Sequence, residues 1–181
     1  MADIENLRGV KIFSELGDKE LKSIADICKE QKFKKGDIVI RQGDVDETVS
    51  ILMKGELQTE IEIPGFKESI PVYTFKPHEV FGEVAFISGA QRSATIKCLD
   101  DTEITILDRS KFNKLCKKNP NIERIVMKNI AVLLSERLRH TTIQLCDGIS
   151  KLPSRVVSRK ARSVFSELSE WVNTMKGISS V

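Results

Sequence analysis

The stretch FGEVAFISGAQRSATIKC, from Phe81 to Cys98, is the part of the sequence that decides the fold. It joins a Gly-Glu pair, a short apolar segment of helical character, an isolated arginine and an alternating strand. A glycine before a short helix lets backbone N–H groups approach a ligand, and the unpaired donors of a first helical turn suit a phosphate. Gly82 and the amides near Val84 and Ala85 fit this description.

Four further residues of the same stretch narrow the chemistry of the ligand. Arg92 supplies a planar guanidinium that can grip two phosphate oxygens at once. Ser93 adds a hydroxyl group, and Ala94 leaves room for the backbone to close in. Glu83 would repel a phosphate, so it fits only if it accepts hydrogen bonds from a sugar hydroxyl. The residues predict a small anionic phosphodiester joined to a ribose.

The rest of the chain divides into three zones by the spacing of its apolar residues. The first zone, up to about Glu30, has helical spacing. From Phe33 to Asp108 the period changes to two, and turn signals such as Gln42-Gly43-Asp44 separate the short runs. Many short strands at such intervals predict an antiparallel roll or sandwich. The third zone, from Ser110 on, is helical again.

Three helices are predicted in the third zone. A short one stops at Pro120, and a long one then runs to about Leu145, where Gly148 and Pro153 interrupt the pattern. The last helix has apolar residues at alternating spacings of four and three, typical of a heptad repeat. These residues are Val157, Ala161, Val164, Leu168, Trp171 and Met175. Because this face is too apolar to stand alone in water, it must pack on the roll, on a second copy or on a partner protein.

Composition excludes several classes of function. A net charge of +3 over 181 residues is too mild to make nucleic acid or an anionic membrane the main partner. About thirty residues follow Leu152, which are too few for a DNA-binding domain with its own core. The longest apolar runs are too short to span a bilayer. The charged N-terminus lacks the apolar core of a signal peptide, which predicts a cytoplasmic protein.

Catalysis and metal binding are not expected either. The four cysteines are widely spread and only two histidines occur, so the sequence predicts free thiols and no metal site. No candidate nucleophile has a paired base, and we therefore do not expect an enzyme.

The stretch FGEVAF-ISGAQ-RSA resembles the phosphate-binding cassette of cyclic nucleotide-binding domains, whose pattern is Phe-Gly-Glu, a spacer, then Arg, a small or hydroxyl residue, and Ala. The resemblance extends over roughly residues 12–145. It implies an α+β fold: an antiparallel β-roll of the double-stranded jelly-roll type, flanked by an N-terminal helix and C-terminal helices. One departure is Ser50, which stands where the family often has an aromatic residue.

The resemblance also implies a role for each residue of the cassette. Glu83 would bind the ribose 2′-hydroxyl, and Arg92 with Ser93 would bind the cyclic phosphate. Backbone contacts would come from Gly82, Val84, Ala85 and Ala94.

The nucleotide base would be met by residues outside the cassette. Val72, on the strand before it, would pack against the base. Alignment with the base-reading helix of the catabolite activator protein places Thr141 and Thr142 over the base, if about one helical turn is inserted after Pro120. Without that insertion Arg137 takes this place.

These features predict a cyclic nucleotide-binding domain over residues 1–146, including a long helix used for homodimerisation, and a linker with an amphipathic helical appendage over residues 147–181. Its predicted function is to sense a cyclic nucleotide and to transmit binding through the C-terminal helices to a downstream protein partner. Ser93 tips the choice slightly to cAMP over cGMP, and no cofactor other than this ligand is expected. The alternative is a nucleotide-independent scaffold, in which a vacated site accompanies a heptad helix that recruits a partner.

Overall fold

Two four-stranded antiparallel sheets form the central roll in the computed structural model, which describes residues 4–63, 65 and 68–151. The first sheet has the strand order β1-β8-β3-β6 and the second has the order β2-β7-β4-β5. The strands are β1 (Lys29–Phe33), β2 (Ile38–Ile40), β3 (Thr48–Lys54), β4 (Leu57–Ile61), β5 (Ile70–Phe75), β6 (Val80–Phe81), β7 (Thr95–Cys98) and β8 (Thr102–Asp108). The predicted α+β fold with an antiparallel roll is confirmed.

The core of the roll lies between the two sheets. Each sheet turns one set of alternating side chains inward, and each large apolar side chain that is fully buried contributes about 1.5–3 kcal/mol to folding. The cluster consists of Ile40, Leu57, Phe75, Ile96 and Cys98 from one sheet and Leu52, Phe81 and Ile104 from the other. Ser50 is buried as well and pairs across the sheet with Phe81 and Ile106.

Helices precede, interrupt and follow the strands. They are α1 (Ile4–Arg8), a 3-10 turn (Lys11–Phe13), α2 (Asp18–Ile27), α3 (Glu83–Ser88), α4 (Arg109–Cys116) and α5 (Pro120–Ser150). The Asp108 carboxylate caps α4 by accepting a hydrogen bond of 2.9 Å from the Lys111 N–H. Proline at the first position of α5 is favourable, because that N–H has no partner within a helix.

Polar contacts fix the start of α5 to the N-terminal helical segment. The buried Asn129 amide donates to the Ser14 carbonyl at 2.9 Å, and Lys128 forms an ion pair with Glu15 at 3.0 Å. Asn121 donates to Glu20 at 2.8 Å. These contacts join segments that lie more than one hundred residues apart in the sequence.

Two boundaries differ from the prediction. The chain is already in β1 at Lys29, although helical spacing was expected up to about Glu30. Strand β1 reads KEQKF and is an exposed edge strand, so it has no apolar alternation from which it could be recognised. Helix α5 continues through Gly148 to Ser150, because a single glycine costs a helix only about 1 kcal/mol.

The chain divides into two units, Met1–Ile130 and Ala131–Val181. The first residues of helix α5 belong to the first unit, and among them Ile122 and Val126 are fully buried. The predicted boundary at residue 146 stays a prediction, and the predicted heptad helix from Val157 to Met175 lies outside the described residues. Within the described part of the chain, no helix combines the length and the apolar character needed to cross a bilayer.

Candidate functional site

The segment from Phe81 to Ala94 wraps around one buried arginine. After β6 the chain turns at Gly82, whose φ of 78° is in the left-handed region, and enters α3. The Glu83 and Ala85 side chains are buried, whereas Val84 is exposed. The predicted short helix after the Gly-Glu pair is therefore confirmed.

The Arg92 backbone is held by the loop between β2 and β3. Its N–H donates to the Asp44 carbonyl at 2.8 Å, and its carbonyl accepts from the Gly43 N–H at 2.8 Å. A second pair of hydrogen bonds fixes the same loop. The Gln42 side-chain amide donates to the Glu62 carbonyl and accepts from the Glu62 N–H. The arginine is thus placed by residues that lie far from it in the sequence.

The Arg92 side chain is only 4% exposed and meets acceptors on three segments. Nη1 donates to the Gly82 carbonyl at 3.0 Å. Nη2 donates to Asp46 Oδ2 at 2.6 Å, to the Thr48 carbonyl at 2.9 Å and to Thr48 Oγ1 at 2.8 Å. Among the described residues Nε has no hydrogen-bond acceptor, although it is buried. A buried donor without an acceptor costs about 1–3 kcal/mol, so this atom points to an acceptor from outside the chain.

Asp46 balances the charge of the buried guanidinium. Its carboxylate also accepts hydrogen bonds from the Thr48 N–H at 3.0 Å and from Thr48 Oγ1 at 2.9 Å. Partial burial alone would raise the pKa of Asp46, but the hydrogen bonds from Arg92 and Thr48 and the Arg92 charge outweigh burial and lower this pKa below 3.8. The carboxylate therefore stays ionised and competes with any anionic ligand for Arg92.

One of the predicted cassette residues contacts the Arg92 side chain. This residue is Gly82, and Glu83, which is 5% exposed, follows it in the chain. Ser93 is exposed and Ala94 is half-buried, and both lead directly into β7. The predicted role of each cassette residue stays a prediction.

The residues predicted to meet the base belong to other elements of the chain, β5 and α5. Tyr73 pairs with Thr59 and Pro71 pairs with Glu60, which leaves Val72 as the extra, bulged residue of the edge strand β5. Val72 is 54% exposed. Arg137, Thr141 and Thr142 lie on α5 within the second unit.

The side chains of Thr141 and Thr142 have different surroundings. Thr142 Oγ1 donates to the Leu138 carbonyl of its own helix at 2.8 Å. Thr141 is exposed. Their predicted contact with a base stays a prediction.

Asp46 and Thr48 are site residues that the sequence analysis missed. The acidic run DVDE precedes β3 without a neighbouring basic residue, which is a weak signal of a distant cationic partner. Arg92 becomes the partner of Asp46 because the backbone of Gly43 and Asp44 is hydrogen-bonded to the Arg92 backbone. No local sequence pattern reveals this pairing.

The described residues include no group of three or more His, Cys, Asp or Glu side chains placed to hold a metal ion. The buried Arg92 guanidinium keeps one N–H without an acceptor among the described residues, so the site can instead bind an anion.

Comparison with known proteins agrees with this geometry. Residues 30–119 match the sequence profile of the family described as "Cyclic nucleotide-binding domain". This segment belongs to the cyclic nucleotide-binding domain family. The match contains β1 to β8, α3 and α4, so it covers the whole roll and its arginine.

Two relatives and one solved structure illustrate the similarity. The chain is 32% identical to the cAMP-dependent protein kinase regulatory subunit of Dictyostelium discoideum over 62% of its own length and 35% of that protein. It is 30% identical to mouse cGMP-dependent protein kinase 2 over 70% of its length and 17% of that protein. The Thermus thermophilus catabolite activator protein superposes with a TM-score of 0.66 at 25% identity, covering 77% of this chain and 63% of that one.

The chain spans about a third or less of the length of these two kinase-related proteins. The similarity therefore establishes a shared domain. The activities of the whole relatives do not follow from it.

Replacing Gly82 by alanine should displace Arg92. A Cβ atom at this position would lie 2.4 Å from Arg92 Nη1 and 3.0 Å from the Thr48 carbonyl oxygen. We expect a loss of about 1–3 kcal/mol of stability from the left-handed backbone alone, measured by chemical denaturation. Gly65→Ala is the matched control, since that glycine also has a positive φ but no atom within 4 Å of its Cβ position. Equal losses in the two variants would contradict the proposed contact.

Replacing Asp46 by asparagine should remove a pH-dependent contribution to stability. Because the pKa of Asp46 is lower in the folded chain, its contribution is present above the ordinary carboxyl pKa and is lost as the pH falls through the lowered value. We therefore expect Asp46→Asn to lower the melting temperature at pH 7, and we expect the difference from the wild type to shrink as the pH falls below the ordinary carboxyl pKa and through the lowered value. A difference that is constant with pH would overturn the assigned ion pair.

Proposed function

We propose that this chain binds a cyclic nucleotide at the segment Phe81–Ala94 and transmits binding through its C-terminal helices. The single observation that carries the proposal is the buried Arg92 guanidinium, whose Nε lacks an acceptor among the described residues. A cyclic phosphodiester offers oxygen acceptors with one negative charge, which fits one free donor of one cation. Membership of the matched segment in the cyclic nucleotide-binding domain family supports the same ligand.

In this proposal each cassette residue has one task. Arg92 and the exposed Ser93 hydroxyl hold the phosphate, and the buried Glu83 carboxylate accepts a hydrogen bond from the ribose 2′-hydroxyl. The backbone of Gly82, Val84, Ala85 and Ala94 completes the contact. Val72, and either Thr141 with Thr142 or Arg137, meet the base.

The ligand has to share Arg92 with Asp46. The guanidinium already has four contacts within the chain, so the phosphate gains the Nε donor and displaces or shares an Nη donor. Binding then changes the charge balance at Asp46, whose loop leads into β3. This gives the site a way to convert occupancy into a change in the loop.

We favour cAMP over cGMP as the ligand. Serine at position 93 supports this choice weakly, and the similar proteins include a cAMP-dependent kinase subunit and a cGMP-dependent kinase. Titration with both nucleotides distinguishes the two ligands.

A second candidate function is a nucleotide-independent scaffold. The contacts of Arg92 with Asp46, Thr48 and Gly82 favour it, because they satisfy most of the guanidinium without a ligand. In this case the roll is a platform, and a partner would bind the apolar face that the sequence predicts around Trp171.

The decisive experiment is calorimetric titration of the purified chain with cAMP and with cGMP. We expect micromolar or tighter binding of one of them, about −8 kcal/mol or better, and its loss in Arg92→Ala. Arg124→Ala is the matched control, since Arg124 is exposed on α5 and donates to Asn121 of the same helix. Absence of heat with both nucleotides, from folded protein shown to be free of bound ligand, would favour the scaffold.

We also propose that the chain forms a homodimer through α5. Leu138 and Leu145 lie one heptad apart and are 63% and 52% exposed, which is unusual for leucine on a long helix. Val132 is exposed in the same half of α5. A second copy of the helix would cover these side chains.

The double substitution Leu138→Glu and Leu145→Glu should convert the dimer to a monomer, because like charges would then face each other in the seam. Light scattering after size exclusion measures the mass. Replacing the exposed polar Gln144 and Glu136 by alanine provides the control and should leave the dimer intact. A wild-type chain that is monomeric at high concentration would contradict this proposal.

A further inference from the structure

Helix α4 and the turn after it carry an unbalanced positive charge. Residues 109–119 contain five of the 29 basic residues and none of the 26 acidic ones, so the rest of the chain has two more acidic than basic residues. The basic residues are Arg109, Lys111, Lys114, Lys117 and Lys118. The whole chain has a net charge of only +3, whereas this segment is strongly basic.

The lysines of α4 and of the turn after it are all exposed. Phe112 and Cys116 turn inward and are buried, whereas all four lysines are exposed. Lys111 and Lys114 are three residues apart, the spacing of neighbours on one face of α4, and Lys118 follows in the turn after the helix. We call these three the lysine row.

None of the four lysines forms an ion pair with any residue that the structure describes. Elsewhere in the same part of the chain, Lys32, Lys34 and Lys128 each have a carboxylate partner within 3.0 Å. Arg109, at the start of α4, pairs with Glu47 at 3.6 Å. The three lysines of the row therefore have no ion-pair partner among the described residues, whereas several other lysines of the chain have one.

The helix dipole explains only part of this pattern. Cations near the C-terminal end of a helix are favourable, which accounts for Lys114 and the residues after it. Lys111 is in the first turn, where a cation is unfavourable. Its presence there requires another reason.

We propose that the lysine row docks an acidic peptide segment of a partner protein. Residues 109–119 contain no acidic side chain, so the row presents positive charge alone, and it is narrow. A single extended or helical acidic segment matches such a row in charge and width, whereas a flat anionic bilayer would need a broad basic surface. No aromatic side chain is exposed between Arg109 and Asn119, so the row lacks the stacking surface with which proteins bind single-stranded nucleic acid.

This inference does not depend on nucleotide binding. The lysine row belongs to α4 and the turn after it, and the cyclic nucleotide is proposed to bind at Arg92. Failure of one proposal leaves the other intact.

Fluorescence anisotropy with a labelled peptide of ten glutamates tests the docking on the full chain. We expect binding at low salt that weakens at about 0.15 M salt, where the Debye length falls to about 8 Å. The triple variant Lys111→Glu, Lys114→Glu, Lys118→Glu should bind about tenfold or more weakly, since each reversal turns an attraction into a repulsion. The triple change to glutamine should give a smaller loss in the same direction.

The control carries the same change of net charge at three other exposed lysines: Lys19→Glu, Lys35→Glu and Lys54→Glu. It should retain affinity within about twofold, and unchanged melting curves should show that all variants fold. Equal weakening in the two charge-reversed variants, or no binding by the wild type at low salt, would overturn the proposal. Tighter, row-dependent binding to phosphatidylserine vesicles or to single-stranded DNA would overturn the choice of an acidic peptide.

Discussion

The burial of one guanidinium organises the functional end of this protein. Arg92 is connected to the turn at Gly82, to the loop at Asp46 and to the start of β3 at Thr48. A charge with so little exposure is tolerated only where hydrogen bonds and a counter-charge replace water. The β6–α3 turn, the β2–β3 loop and the segment before β7 are consequently held in one arrangement, and Gly82 is required because a side chain would occupy the space of the guanidinium.

The same arrangement creates a competition that can serve regulation. Asp46 is half-exposed and ionised, and it lies on the solvent side of a cation that keeps one donor unsatisfied. An anion that binds Arg92 therefore acts on an existing pair and does not fill an inert cavity. A ligand can shift such an equilibrium only by its preference for one of the two states, so the strength of the Asp46 contact sets how much binding free energy is left for signalling.

The helices behind the roll divide the remaining tasks. The first turns of α5 are fixed by Asn121, Lys128 and Asn129 to the N-terminal helical segment. Beyond Ala131, the apolar side chains of Val132, Leu138 and Leu145 are exposed. Helix α4 buries Phe112 and Cys116 on one side and presents unpaired lysines on the other. The cyclic nucleotide and the acidic partner are thus proposed to bind at Arg92 and at the lysine row, and the second copy at the exposed apolar residues of α5.

The sequence by itself determined the fold class and the cassette. Period-two runs separated by turn residues predicted the antiparallel roll, and FGEVAF with RSA indicated the family, because these signals are local in the chain. It failed at β1, where an exposed edge strand carries no apolar alternation, and at Gly148, which α5 absorbs. Only the tertiary structure decided that Asp46 and Thr48 complete the site and that Nε stays unpaired, since these facts depend on the pairing of segments more than forty residues apart.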